Sequence, residues 1–150
     1  MGIEVRAARE EDEGAILALV RSERMRPTGL DWRRFHVACE EGQVVGTVQL
    51  RPLGPELASL VVRPDRRGRG LARSLIESRL GGVTGPVFLV APRAVAGLYL
   101  RHGFVQQRPH EVPRPIAVDW ALGQGLGVLN SLARGMRPRR MIVMARPGPY

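Results

Sequence analysis

Glu56-Leu-Ala-Ser-Leu-Val-Val62 runs without a break into Arg63-Pro-Asp-Arg-Arg-Gly-Arg-Gly70, and that segment into Leu71-Ala-Arg-Ser-Leu-Ile-Glu-Ser-Arg-Leu80. The first piece, rich in Leu and Val, reads as a strand; the last places Leu71, Ala72, Leu75, Ile76 and Leu80 on one face of a helix. Between them, Gly68 and Gly70 let the backbone come close to a ligand, and the N–H groups that open the helix point at one spot. Those donors and the helix dipole favour a phosphate. A P-loop would need a lysine, and all 23 basic residues of the chain are arginine. A dinucleotide fingerprint would want a third glycine where Arg73 stands, in the first βαβ unit of the chain.

On either side the punctuation is that of short α/β elements. Ile3 to Arg6 alternates as a strand, and the acidic run Glu10 to Glu13 suits the start of a helix carrying Ala15, Ile16, Leu19 and Val20 on one face and ending near residues 21–26. Pro27 and Gly29 break the chain. Phe35, Val37 and Cys39 then alternate with more polar or smaller neighbours, turn at Glu41 and Gly42, and return through Val44 to Leu50 as a hairpin. Beyond the central segment, Pro86 to Val90 reads as a buried strand, Val95 to Arg101 as a helix and Gly103 to Gln107 as a strand. Residues 108–138 give no clear pattern, because Gly123, Gly125 and Gly127 weaken Trp120 to Arg134 as a helix. Met141 to Ala145 closes as a last strand.

At 150 residues the chain suits a single domain over 1–150. It has no uninterrupted apolar run near the roughly 18 residues a membrane helix needs. Charges at Glu4, Arg6 and Arg9 leave no room for the apolar core of a signal peptide, so a cytoplasmic location is expected, with no membrane partner. Cys39, the single cysteine, excludes an internal disulfide and a multi-cysteine zinc site and reads as a small buried residue. The missing lysine removes Schiff-base and pyridoxal chemistry. His36, His102 and His110 have no metal-binding spacing, and no metal is expected. Residues 1–62 carry 8 Arg against 10 acidic residues and residues 63–150 carry 15 against 4, a net of −2 and +11 within the overall +9. The basic half attracts an anion: nucleic acid, an acidic membrane face or a phosphorylated cofactor.

Arg67, Gly70 and Ala72 fit an Arg/Gln-x-x-Gly-x-Gly/Ala pattern, and with it the chain resembles the GCN5-related N-acetyltransferase (GNAT) family. Two further landmarks stand in the family's order: Val45-Gly46 in the preceding strand, and Leu98-Tyr99-Leu-Arg-His-Gly103-Phe104 after the following one. The resemblance spans about residues 3–108. It implies an α/β fold: a mixed sheet of six or seven strands, splayed between the strand ending at Val62 and the one ending near Val90, with about four helices and acetyl-CoA in the splay. It implies that backbone N–H groups of Arg67, Gly68, Arg69, Gly70, Leu71 and Ala72 hold the pyrophosphate, that Leu60, Val61 and Val62 present main chain to the pantetheine arm, and that Arg63, Arg66 and Arg73 are salt partners of the phosphates. Many relatives carry an asparagine six or seven residues before the tyrosine; Pro92 and Arg93 stand there, so Arg93 takes the expected contact to phosphate or to an acidic substrate.

Acetyl transfer to an amine needs a neutral nucleophile, and an amine of pKa about 10 is almost fully protonated at neutral pH, so a carboxylate helps remove its proton. Glu56 stands where family members often place this base; by strand alternation it shares a face with residues 58, 60 and 62. Tyr99 matches the family's tyrosine, a proton donor to the leaving thiolate. The tail from Arg108 to Met144 resembles small-molecule members, amino-acid N-acetyltransferases among them, in which Arg33, Arg34 or Arg114 would grip an α-carboxylate through paired hydrogen bonds. Acetylation of a protein N-terminus or lysine is the alternative. A nucleic-acid module is disfavoured, because no aromatic residues interleave the arginines as a stacking platform would require. Whether the chain is a monomer or a homodimer is open at this level.

Overall fold

The computed structural model describes residues 2–23, 25, 30–52, 54–137 and 139–148; the break expected at Pro27 and Gly29 lies outside the described residues. These residues form a mixed seven-stranded sheet and four α-helices. They divide into two compact units, Met1–Arg51 with Leu57–Val83, and Pro52–Glu56 with Thr84–Tyr150.

In the first unit β1 (Glu4–Ala7) runs antiparallel to β2 (Phe35–Glu40), and β2 to β3 (Gln43–Arg51), with β4 (Glu56–Val62) next in order. Glu41 and Gly42, both at positive φ (49° and 79°), close the β2–β3 hairpin in the left-handed geometry that matches strand twist. Helix α1 (Glu13–Ser22) buries Ile16, Leu19 and Val20. Ile16 and Val20 pack with Phe35, Val37 and Cys39 into one core cluster. Asp12 anchors the entry to α1: it accepts hydrogen bonds from Arg6 Nη1 at 2.7 Å and from the Arg9 N–H at 2.7 Å. The Arg6 guanidinium holds its carboxyl below the usual range. Helix α2 (Leu71–Leu80) buries Leu71, Leu75, Ile76 and Leu80. Gly46 is required by this packing, since a Cβ there would lie 2.9 Å from Leu75 Cδ1 and 3.3 Å from the Val61 carbonyl oxygen. The Val45-Gly46 landmark thus has a packing cause.

In the second unit β5 (Val87–Pro92) pairs antiparallel with β7 (Met141–Arg146), and β7 with β6 (Val105–Gln107). The last strand of the chain therefore sits inside, between β5 and β6. Val87, Leu89, Ala91, Phe104, Ile142, Val143 and Met144 form its core. The helix expected over Val95 to Arg101 is a 3₁₀ turn followed by α3 (Ala96–Leu100), and β5 runs two residues further than its apolar stretch suggests. The larger departure is α4 (Arg114–Ala133), 20 residues long across the segment without a clear pattern. Its three glycines do not stop it, because tertiary contacts outweigh propensity: Ile116 is buried, Trp120 Nε1 donates to the Met141 carbonyl at 2.9 Å, and Gln124 Oε1 accepts from the Met141 N–H at 2.9 Å.

Candidate active site

The anion-binding candidates lie in the first unit. After β4, a 3₁₀ turn over Pro64–Arg66 leads to Gly68 and Gly70, whose φ values of 79° and 76° lie in the region glycine alone adopts without strain. Nothing lies within 4 Å of the position a Cβ would take at either glycine. The first helical bond of α2 runs from the Ser74 N–H to the Gly70 carbonyl at 3.1 Å, so the N–H groups of Leu71, Ala72 and Arg73 precede it and have no acceptor within the helix. Open approach, freed donors and a helix N-terminus together fit a pyrophosphate.

The arginines around the loop divide by partner. Arg66 binds Glu40 and Asp65, Arg63 binds Asp65 through Nε at 2.6 Å, and Arg73 binds Glu77 at 2.8 Å one helical turn on. Arg67 donates from Nε to the Val62 carbonyl at 3.0 Å and pairs with Glu23 at 3.0 Å, bracing the loop against the end of β4. Exposed Arg69 has no side-chain partner among the described residues, which leaves its guanidinium for an incoming anion.

Strand β4 does not keep the expected alternation. Ser59 sits at φ 54°, a left-handed conformation uncommon outside glycine, and the residues after it are rotated relative to those before. Glu56, Leu57 and Val61 are buried, while Ala58, Ser59, Leu60 and Val62 are half-buried. The bend is clamped from β3: Thr47 Oγ1 donates to the Ser59 carbonyl at 2.9 Å, and Gln49 Nε2 donates to Ser59 Oγ at 2.8 Å. Thr47 and Gln49 are both fully buried. No motif marks Ser59; two polar residues inside an apolar strand were the available signal for its clamp. The same unit holds a cavity of about 350 Å³ lined by Glu13, Ile16, Leu17, Arg21, Leu30, Trp32 and Phe35. Arg33 does not line it: its guanidinium lies over the Trp32 ring at 4.9 Å and reaches Asp31. Arg34 holds Arg79 through its carbonyl, at 2.9 Å from Nε.

The proton-handling candidates lie in the second unit. Glu56 pairs in parallel register with Phe88, whose N–H donates to the Pro55 carbonyl at 2.8 Å. It is 3% exposed, so it is no solvated strand-edge residue. Gly54, two residues before it, turns at φ 58° where a Cβ would press on Pro113 at 3.2 Å, which ties the approach to Glu56 to the start of α4. Tyr99 on α3 is buried with its ring edge-on to Phe104, centroids 6.1 Å apart. Burial pushes its phenol up to about 12. Exposed Arg93 is held by its backbone, its N–H donating to the Arg140 carbonyl at 2.8 Å, with its side chain unpaired among the described residues. Arg114 is exposed at the start of α4. Cys39 is a buried free thiol that burial pushes up, an inert residue as its sequence setting suggests. Among the described residues no group of three or more His, Cys, Asp or Glu is placed to hold a metal ion, and no helix is long and apolar enough to cross a membrane.

The site is thus a strand bent at a left-handed residue that runs into an open glycine loop and a helix N-terminus, an arrangement that suits a pyrophosphate-bearing ligand. The family model described as an acetyltransferase (GNAT) domain matches residues 31–106. The chain belongs to the GNAT family of acetyltransferases. Among solved structures, N-acetylglutamate synthase from Neisseria gonorrhoeae, complexed with coenzyme A and N-acetyl-glutamate, is similar over 100% of this chain and 36% of its own, with TM-score 0.72 and 18% identity. The Rv2747 protein of Mycobacterium tuberculosis, also solved with CoA, gives 0.70 at 22% identity over 96% of this chain and 98% of that one. A GNAT acetyltransferase from Staphylococcus aureus Mu50 gives 0.69 at 12% identity over 97% and 99%. At such identities the likeness is one of fold, and this chain spans about a third of the synthase's length. No curated protein sequence matches the chain.

Proposed function

We propose that this chain transfers the acetyl group of acetyl-CoA to the primary amine of a small molecule carrying a carboxylate, an amino acid being the leading class. The observation that carries the donor half is the loop at Gly68 and Gly70, open to approach, at positive φ and followed by unpaired helix N–H groups. The backbone N–H groups of Gly68, Arg69, Gly70, Leu71 and Ala72 hold the pyrophosphate and Arg69 adds charge, whereas the Arg67 N–H donates to the Pro64 carbonyl at 3.4 Å and reaches a phosphate only by leaving it. Arg63 and Arg73, bound to Asp65 and Glu77, reach a phosphate only by leaving those partners; Arg93 has no such cost. Leu60, Val61 and Val62, which follow the left-handed Ser59, present main chain to the pantetheine arm in this reading, and a backbone N–H there supports the carbonyl oxygen as it gains charge. Bound acetyl-CoA supplies an activated thioester. Glu56 removes the amine proton, directly or through a water molecule. Tyr99, neutral at physiological pH, donates a hydrogen bond to the departing sulfur.

The acceptor class rests on two observations. The cavity in the first unit has the volume of a small-molecule site, and its lining joins the charged residues Arg21 and Glu13 to Ile16, Leu17 and Trp32. The gonococcal synthase of similar fold was solved with N-acetyl-glutamate. Calorimetric titration with acetyl-CoA tests the donor half: the wild type binds, and Arg67→Glu combined with Gly70→Glu does not. A wild type that fails to bind refutes the acetyltransferase reading. Release of free CoA thiol over a panel of amines then tests the acceptor; turnover with peptides but no amino acid would assign a protein substrate instead.

A further inference from the structure

Helix α4 leaves one face uncovered. Val118, Leu122, Leu126, Leu129 and Leu132 recur every three or four residues, so they share one side of the helix. They are 51%, 47%, 50%, 66% and 64% exposed, and Met136 just beyond adds another exposed apolar side chain. The opposite side, with Ile116, Trp120, Gly123 and Gln124, is the one that meets β7: a Cβ at Gly123 would lie 3.7 Å from Met141 Cε, Trp120 donates to the Met141 carbonyl, and Gln124 also donates to the Arg139 carbonyl. A row of large apolar residues this continuous on a surface marks an interaction site. Gly123, Gly125 and Gly127 also give the helix a low intrinsic propensity, so it gains from being covered on both sides.

We infer that this face is the interface of a homodimer, with α4 of one copy packed antiparallel on α4 of a second around a twofold axis. Charge selects this occupant. The second unit carries nine arginines against three acidic residues, yet from Trp120 to Ala133 the helix has no charged residue at all. An anionic partner lying along the helix would be met by arginines beside the whole apolar row, and they flank it only at its ends, whereas a self-complementary pairing needs a neutral stretch such as the one from Trp120 to Ala133. The basic cluster Arg134, Arg137, Arg139 and Arg140 lies at one end of α4 only. In an antiparallel pair the two clusters stand roughly 30 Å apart, the length of the helix and well beyond the Debye length at physiological salt. Six half-exposed side chains contribute on the order of 100 Å² each, hence about 1,200 Å² over both copies, the lower bound for a specific interface. Gly125, on the exposed side with open space around it, lets the two backbones approach closely.

Leu126 and Leu129 lie nearest the middle of the row, so each faces its counterparts across the twofold axis. Sedimentation velocity over a dilution series is expected to show twice 16.5 kDa for the wild type and half that mass for Leu129→Arg and for Leu126→Arg, with unchanged circular dichroism. A mixture of Leu129→Arg with Leu129→Glu is expected to regain the dimer, which a variant that merely misfolds would not do. A wild type that stays monomeric overturns the inference, as does a dimer that survives both arginine variants. A monomer that sediments with vesicles of anionic phospholipid, but not with vesicles of phosphatidylcholine alone, would assign the face to a bilayer and overturn it as well.

Discussion

Replacing Tyr99 by Phe separates two things a buried phenol can do for a leaving thiolate. Burial pushes this phenol up to about 12, whereas an ordinary thiol titrates near 8.5. Complete proton transfer from the one to the other is therefore uphill by about 3.5 units, or roughly 5 kcal/mol at 1.36 kcal/mol per unit. Under the proposed function Tyr99 would therefore act as a hydrogen-bond donor to the developing negative sulfur rather than as a full proton donor, and a hydrogen bond to a charged group contributes about 1.5–3 kcal/mol. Tyr99→Phe is expected to lower kcat about 10- to 100-fold, with KM for acetyl-CoA changed little. Because the phenol stays neutral far above neutrality, the alkaline side of the pH–rate profile is expected to be the same in both proteins. Steady-state release of CoA thiol across pH, with the best acceptor found, measures both quantities. A wild-type alkaline limb near pH 9–10 that vanishes in the variant would refute the reasoning, since Tyr99 would then titrate as an ordinary phenol. An unchanged kcat would remove Tyr99 from the chemistry.

Glu56→Gln is expected to cut kcat by about 10²- to 10⁴-fold while calorimetry shows wild-type affinity for acetyl-CoA, as loss of a proton acceptor requires; retained kcat would exclude Glu56 as base. Gly46→Ala is expected to destabilise the fold by about 1–3 kcal/mol in urea melts, because the new methyl group meets Leu75 Cδ1 and the Val61 carbonyl. Combined with Leu75→Ala, it is expected to cost less than the two single changes together, and strict additivity would contradict the contact. His36, whose Nδ1 lies 2.7 Å from Ser78 Oγ, is held below its ordinary value by burial and then by the nearby charge of Arg79. The unfolded chain thus binds the proton first as pH falls: stability is complete above about pH 6.5 and declines below it toward the folded-state value. Thermal melts of His36→Asn are expected to lose that acid slope, and an unchanged slope would assign it to other groups.

Much of this molecule is legible in local pattern. Strand β4, the loop at Gly68 and Gly70 and helix α2 follow from residues adjacent in sequence, because the Leu- and Val-rich run, the helical spacing and the positive-φ glycines are properties of the chain itself. The hairpin over Phe35 to Leu50 is legible for the same reason, its turn being chosen by Glu41 and Gly42. The arginine-glycine loop, too, is a candidate anion site in sequence alone.

What tertiary structure alone decided is where distant residues meet. The left-handed Ser59 and its clamp by Thr47 and Gln49 depend on two strands lying side by side, and strand alternation along β4 could not reveal them. Which arginines near the loop stay available depends on Glu23, Glu40, Asp65 and Glu77, partners set in three of four cases by folding or by helix geometry. Helix α4 runs against its own glycines, because Ile116, Trp120 and Gln124 find the core and β7. Its uncovered leucines show as a surface only once that side has been chosen. Periodicity and turn chemistry act over a few residues and can be read from sequence; burial, bending and ion pairing are contests between segments far apart in the chain, which only the fold resolves.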